Sequence, residues 1–157
     1  MNELRSADKP TGRCRGVLTD RHFHWAVFAA LPVWLAGYLW LAPATDATWP
    51  LRHPRDLLFL GLVYPVIEEL LFRGLLQSWL LERPPLRRRW LGLSGANLLT
   101  SLVFTGLHFI DHPPLAAAAV ILPSLIFGYF RDRNDSLCAP IVLHIYYNIG
   151  YFWLFSG

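Results

Sequence analysis

The sequence predicts an all-α, polytopic bundle of transmembrane helices with about five spans, and three features of the chain carry that prediction. Only 16% of its 157 residues are charged while 54% are hydrophobic, against roughly 25% charged in a soluble domain. Long apolar runs recur along it, separated by clusters of proline, aspartate and arginine. Its cationic residues fall almost entirely in alternate connections. The formal net charge of +3 is too small to suggest a nucleic-acid partner. Cys14 and Cys138 lie far apart in the chain and offer neither metal spacing nor a disulfide framework, so no cysteine chemistry is expected.

Residues 1–24 are polar and basic and read as a flexible cytoplasmic tail, with 25–157 forming a single transmembrane domain. Trp25 to Leu41 is a first spanning helix; no small-residue cleavage site follows it, so it is not a signal peptide. Pro43 to Pro54 is a loop in which Trp49 takes the place of an interfacial aromatic. A second helix runs from about Asp56 to Leu81, about 38 Å at ~1.5 Å per residue, with Pro65 expected to bend it and expose a carbonyl. Glu82 to Arg89 is a basic, proline-broken loop whose arginines set topology and offer contacts for anionic lipid. Trp90 to Ile110 is the third helix, stopped by Pro113 and Pro114. Leu115 to Phe130 is a short fourth helix kinked at Pro123, Arg131 to Asp135 a polar turn, and Ala139 to Phe155 the fifth helix. With the N-terminus in the cytoplasm, eleven of the arginines and lysines lie inside, two outside and Arg73 within the membrane, an asymmetry that fixes the orientation.

Apolar side chains alone would suffice to build five spans, so the polar residues inside them carry the information. Glu68, Glu69 and Arg73 interrupt the second helix, and an intramembrane charge costs at least ~2.5–3.5 kcal/mol unless paired or used. Glu69 and Arg73 are four apart with the acid first, the favourable order for an ion pair. Glu68 points about 100° away on a 3.6-residue helix and is left available for chemistry. Phe104 and His108 share a face of the third helix, and His144 and Asn148 a face of the fifth. Single histidines in helices are usually packing residues. Two of them with an amide and a carboxylate on three spans form an expensive set to bury without use.

Glu68 helped by His108 could deprotonate a water that attacks a carbonyl, with His144 and Asn148 donating to the oxyanion. Zinc is the competing reading, since two His and one Glu suit it; the chain has no His-Glu-x-x-His pattern, and Arg73 claims the spare carboxylate. A non-catalytic membrane partner, such as an immunity or chaperone-like factor that keeps the cluster for assembly, is a further alternative.

The ordered motifs Glu68-Glu69-x-x-x-Arg73, Phe104-x-x-x-His108 and His144-x-x-x-Asn148 resemble those of the CAAX protease and bacteriocin-processing family, the glutamic intramembrane proteases similar to the Ras-converting endopeptidase. The resemblance implies that Glu68 and His108 activate the water, His144 and Asn148 form the oxyanion hole, and Glu69, Arg73 and Phe104 support the site. It implies no metal or other cofactor, a membrane-anchored protein or peptide as substrate, and C-terminal processing in a bacterial plasma membrane. The chain has fewer spans than the family commonly carries. In the topology drawn above His108 lies near the far end of its helix, Glu68 near mid-depth and His144 toward the cytoplasm. For them to meet, the third helix must begin later and end deeper, or Asp111 to Pro114 must dip inward shielded from lipid.

Overall fold

A computed structural model describes residues 14–41 and 46–155; the expected tail up to residue 13 and part of the first loop lie outside them. Helix α1 (Arg21–Leu41) starts four residues before Trp25 and follows a 3-10 turn, Cys14–Thr19. Residues 14–24, read from the sequence as irregular, are thus mostly helical. Asp20 explains the early start: its Oδ1 accepts the His22 N–H at 2.9 Å, satisfying a first-turn donor. Its Oδ2 accepts from Arg133 Nε at 3.0 Å. Burial works to raise the Asp20 pKa, but these hydrogen bonds outweigh it and hold the carboxyl below its ordinary value. Cys14 and Cys138 are brought together with Cα atoms 5.5 Å apart, within disulfide reach, a proximity that the expectation of no disulfide framework did not include.

Residues 54–81 form one continuous helix, α2, assembled from the segments Pro54–Leu58, Phe59–Val63, Tyr64–Glu69, Leu70–Gln77 and Ser78–Leu81, of which the second and fourth are π-helical. Proline chemistry explains the first π segment. There the Tyr64 N–H bonds Phe59 O, and the same register assigns Leu60 O to residue 65, a proline with no N–H. Asn148 Nδ2 supplies the missing donor at 3.0 Å. The carbonyl expected to be freed by Pro65 is therefore that of Leu60, and the last helix of the chain caps it. Just before α2, Trp49 is buried (4% exposed) and stacks on His53 and Phe152, so it is a packing residue rather than an interfacial one.

The third helix is shorter than predicted. Arg89–Trp90 (β1) pairs antiparallel with Leu93–Ser94 (β2), and the turn takes Leu91 and Gly92 to φ 50° and 85°, the positive values of a tight hairpin turn. Ser94 Oγ then accepts the Asn97 N–H at 2.9 Å and starts α3 (Gly95–His108). Its 14 residues span about 21 Å, well short of the ~30 Å hydrocarbon core. The fourth helix is two pieces, α4 (Pro114–Ala119) and α5 (Ile121–Asn134). Pro123 cannot donate to Ala119 O, so the break falls at Val120. The predicted polar turn begins only at Asp135, which takes φ 48° after α5 has run to Asn134. Helix α6 (Cys138–Phe155) closes the bundle.

The burial pattern is inverted relative to a soluble protein. Glu69, Arg73, Gln77, Asn97, Thr100, Ser101 and Ser124 have no exposed surface, while Leu75, Leu102 and Leu122 are more than 60% exposed. Among the described residues three helices, Arg21–Trp40, Pro114–Asn134 and Cys138–Phe155, are long and apolar enough to cross a membrane. This is the surface of an integral membrane protein, with polar groups gathered inside and apolar ones facing lipid.

A polar seam joins α2 to α5 with matching four-residue spacing. Arg73 Nη2 donates to Ser124 Oγ (2.6 Å) and O (3.0 Å). Gln77 Nε2 donates to Gly128 O (2.9 Å) and Asp132 Oδ1 (2.7 Å). Helix α3 joins through Asn97, whose Nδ2 donates to Leu125 O at 3.0 Å while its Oδ1 accepts from Ser101 at 3.1 Å. Gly128 makes room for that amide, because a Cβ there would coincide with the Asn97 side chain. Gly128→Ala is expected to destabilise by about 1–3 kcal/mol. Gly106→Ala, where a Cβ meets nothing within 4 Å, should be neutral or stabilising by up to about 1 kcal/mol; unfolding in mixed detergent micelles measures both.

Candidate active site

The interrupted segment of α2 divides its charges as the helical angles predict. Arg73 Nη1 donates to Glu69 Oε1 at 2.9 Å with both side chains fully buried. The guanidinium also lies 4.7 Å from the Phe104 ring centre and 5.4 Å from that of Phe127, a planar cation held between aromatic faces. Glu68, one residue earlier, keeps a third of its side chain exposed and is free of the arginine.

His144 is the point where the two glutamates meet. Its Nδ1 lies 2.8 Å from Glu69 Oε1, and its Nε2 lies 3.5 Å from Glu68 Oε2. Helices α2 and α6 pack along this stretch, and His144 sits six residues into α6, level with the glutamates. The separation in depth expected between Glu68 and His144 does not exist. The ring is further fixed by stacking on Phe127, with centres 4.8 Å apart and planes at 23°. A carboxylate on Nδ1 orients the imidazole and holds the proton on that nitrogen, leaving Nε2 toward Glu68.

His108 reaches the cluster through Phe104. Its Nδ1 donates to Phe104 O at 2.9 Å, since a carbonyl can only accept, and Nε2 is left with a lone pair. The His108 and Phe104 ring centres are 4.5 Å apart and those of Phe104 and His144 6.0 Å. Because α3 starts at Gly95 and ends at His108, this histidine sits beside the site; Asp111 to Pro114 remain exposed. Among the described residues no hydrogen bond joins His108 to Glu68. Asn148, one turn beyond His144, uses one amide hydrogen on Leu60 O and retains a second donor. Among the described residues no three His, Cys, Asp or Glu side chains converge as metal ligands.

Residues 50–150 match the Rce1-like family, described as type II CAAX prenyl endopeptidase Rce1-like. The chain belongs to this family. The match spans all three polar motifs, and it makes the protein an intramembrane protease acting on membrane-associated protein substrates at the family level. No curated protein and no solved structure matches the chain.

In this Rce1-like chain two supporting residues escaped the sequence reading. Ser124 binds Arg73 through both its hydroxyl and its carbonyl, and Phe127 contacts both Arg73 and His144. Ser124 had a faint signal, a lone hydroxyl next to Pro123 in an apolar run. Phe127 had none, because nothing local separates an aromatic packed on a guanidinium from one facing lipid.

Proposed function

We propose that the protein is a glutamic-type intramembrane endopeptidase that hydrolyses a peptide bond near the C-terminus of a membrane-anchored protein in a bacterial plasma membrane. The observation that carries this reading is His144 held by Glu69 on one ring nitrogen and facing Glu68 with the other. Glu68 accepts a proton from water, and the oxygen adds to the scissile carbonyl. His108, with Nδ1 committed to Phe104 O, offers Nε2 as a second acceptor on the same water. The oxyanion receives hydrogen bonds from His144 Nε2, when protonated, and from the spare Asn148 amide hydrogen. The proton taken by Glu68 then passes to the leaving nitrogen as the C–N bond breaks, and an amine and a carboxylate leave.

In this scheme Glu69, Arg73 and Phe104 touch no reacting atom; they hold His144 and His108 in place. The test is cleavage of a membrane-anchored substrate by the purified protein in liposomes. Activity retained after exhaustive chelation supports the metal-free mechanism. Activity lost to chelation and restored by zinc would replace it with the metal reading. Cleavage lost in a folded Glu68→Gln variant separates an enzyme from a non-catalytic assembly partner.

A further inference from the structure

We infer that the arginine-rich end of the bundle carries a binding site for the phosphate of an anionic phospholipid, separate from the glutamate cluster. A cavity of about 370 Å³ opens there, lined among others by Ser78, Glu82, Arg87, Arg89, Arg131 and Asp135. Three guanidiniums face two carboxylates, and the one carboxylate that is paired is spent on Arg131, which leaves Arg87 and Arg89 in excess. Asp135 is 75% exposed and already paired with Arg131. Glu82 is exposed and makes no ion pair among the described residues.

Arg87 and Arg89 are oriented by groups that leave their charge intact, and Arg131 frames the cavity beside them. Arg131 is only 14% exposed; its Nε donates to Arg73 O and its Nη2 to Ser78 Oγ. Arg89 Nη2 donates to Asp132 O at 2.7 Å, and Arg87 Nε donates to Leu81 O. A carbonyl orients a guanidinium without neutralising it, and the remaining nitrogens of Arg87 and Arg89 have no partner among the described residues. Pre-set guanidinium forks of this kind match phosphate oxygens better than lysines would.

The surroundings select a lipid as the source of that phosphate. At the hairpin tip Trp90 is 74% and Leu91 83% exposed, directly after Arg87-Arg88-Arg89. The Arg83 guanidinium lies 4.6 Å from the ring centre of Trp79, itself 52% exposed. Exposed tryptophan and leucine flanked by arginine mark the boundary between headgroups and acyl chains. The distribution of cations assigns this end to the cytoplasmic leaflet, where anionic lipids concentrate. A soluble anion would have no use for the apolar tip.

The full-length protein, purified in neutral detergent, is titrated with phosphatidylglycerol, phosphatidylcholine or inorganic phosphate, and followed by thermal shift and by retained lipid in native mass spectrometry. Phosphatidylglycerol is expected to raise the melting temperature, because a ligand that binds only the folded state stabilises it, and to remain bound as a discrete adduct. Arg87→Gln with Arg89→Gln should weaken that binding at least tenfold, whereas Arg55→Gln at the opposite end should leave it unchanged. If the double variant does not fold, Arg87→Gln alone, which changes an exposed side chain, is titrated instead and should lose affinity severalfold. Equal binding of phosphatidylcholine, or undiminished phosphatidylglycerol binding in the variants, overturns the site. Inorganic phosphate matching phosphatidylglycerol overturns the lipid assignment.

Discussion

Glu68→Gln is expected to slow substrate cleavage by about 10²–10⁴-fold, the range for losing a general base, while leaving the protein folded. Glutamine has the same size and can still accept a hydrogen bond, but it cannot take a proton from water. Glu68 keeps a third of its surface exposed and meets His144 at 3.5 Å, so the substitution leaves no buried charge unpaired. Glu69→Gln is the informative neighbour. That residue is fully buried against Arg73 and His144, and its neutralisation strands a guanidinium. The two variants should therefore separate: Glu68→Gln inactive with a wild-type melting temperature, Glu69→Gln losing stability as well as activity. Unaltered cleavage by Glu68→Gln would remove Glu68 as the base.

That adjacent glutamates differ so much was legible from their spacing alone. A four-residue interval aligns Glu69 with Arg73, and a one-residue step turns Glu68 off that face. Local periodicity also places Phe104 with His108 and His144 with Asn148. It does not reveal that His144 reaches both glutamates, because contact across helices depends on where each helix starts. Five residues decided the matter for His108. Moving the start of α3 from Trp90 to Gly95 makes room for the hairpin and changes the depth of the whole helix. Gly92 was the available signal, a residue suited to positive φ inside what otherwise reads as an apolar span.

The partners of other features had no local signature. Pro65 signals that a carbonyl of α2 is freed, but not that its donor is Asn148, far along the chain. Cys14 and Cys138 are separated by 124 residues, and only folding brings them together. Trp49 had the composition of an interfacial anchor, but Phe152 supplies a ring to stack on. The fold class was readable because bilayer solvation acts on every residue; these pairings were not, because each rests on one long-range contact.

Arg73→Leu should be the most destabilising substitution in the chain, by about 3–5 kcal/mol, the loss expected when one partner of a buried ion pair is removed. Leucine preserves bulk but leaves the Glu69 carboxylate fully buried with His144 as its remaining partner. It also leaves Ser124 without its guanidinium, and Phe104 and Phe127 without the cation between them. Arg73→Lys should rescue little, because an ammonium cannot stack between two rings while donating to both Glu69 and Ser124. Replacing both partners, Glu69→Leu with Arg73→Met, should recover much of the stability, since it removes the buried charges together. It should not recover cleavage, because His144 Nδ1 would lose the carboxylate that orients it. Unfolding in mixed micelles and cleavage in liposomes, measured on both single variants and the double, separate the two roles. A double variant that is both stable and fully active would show that Glu69 neutralises Arg73 without positioning His144. A stable Arg73→Leu variant would show that the carboxylate needs no cation at that depth.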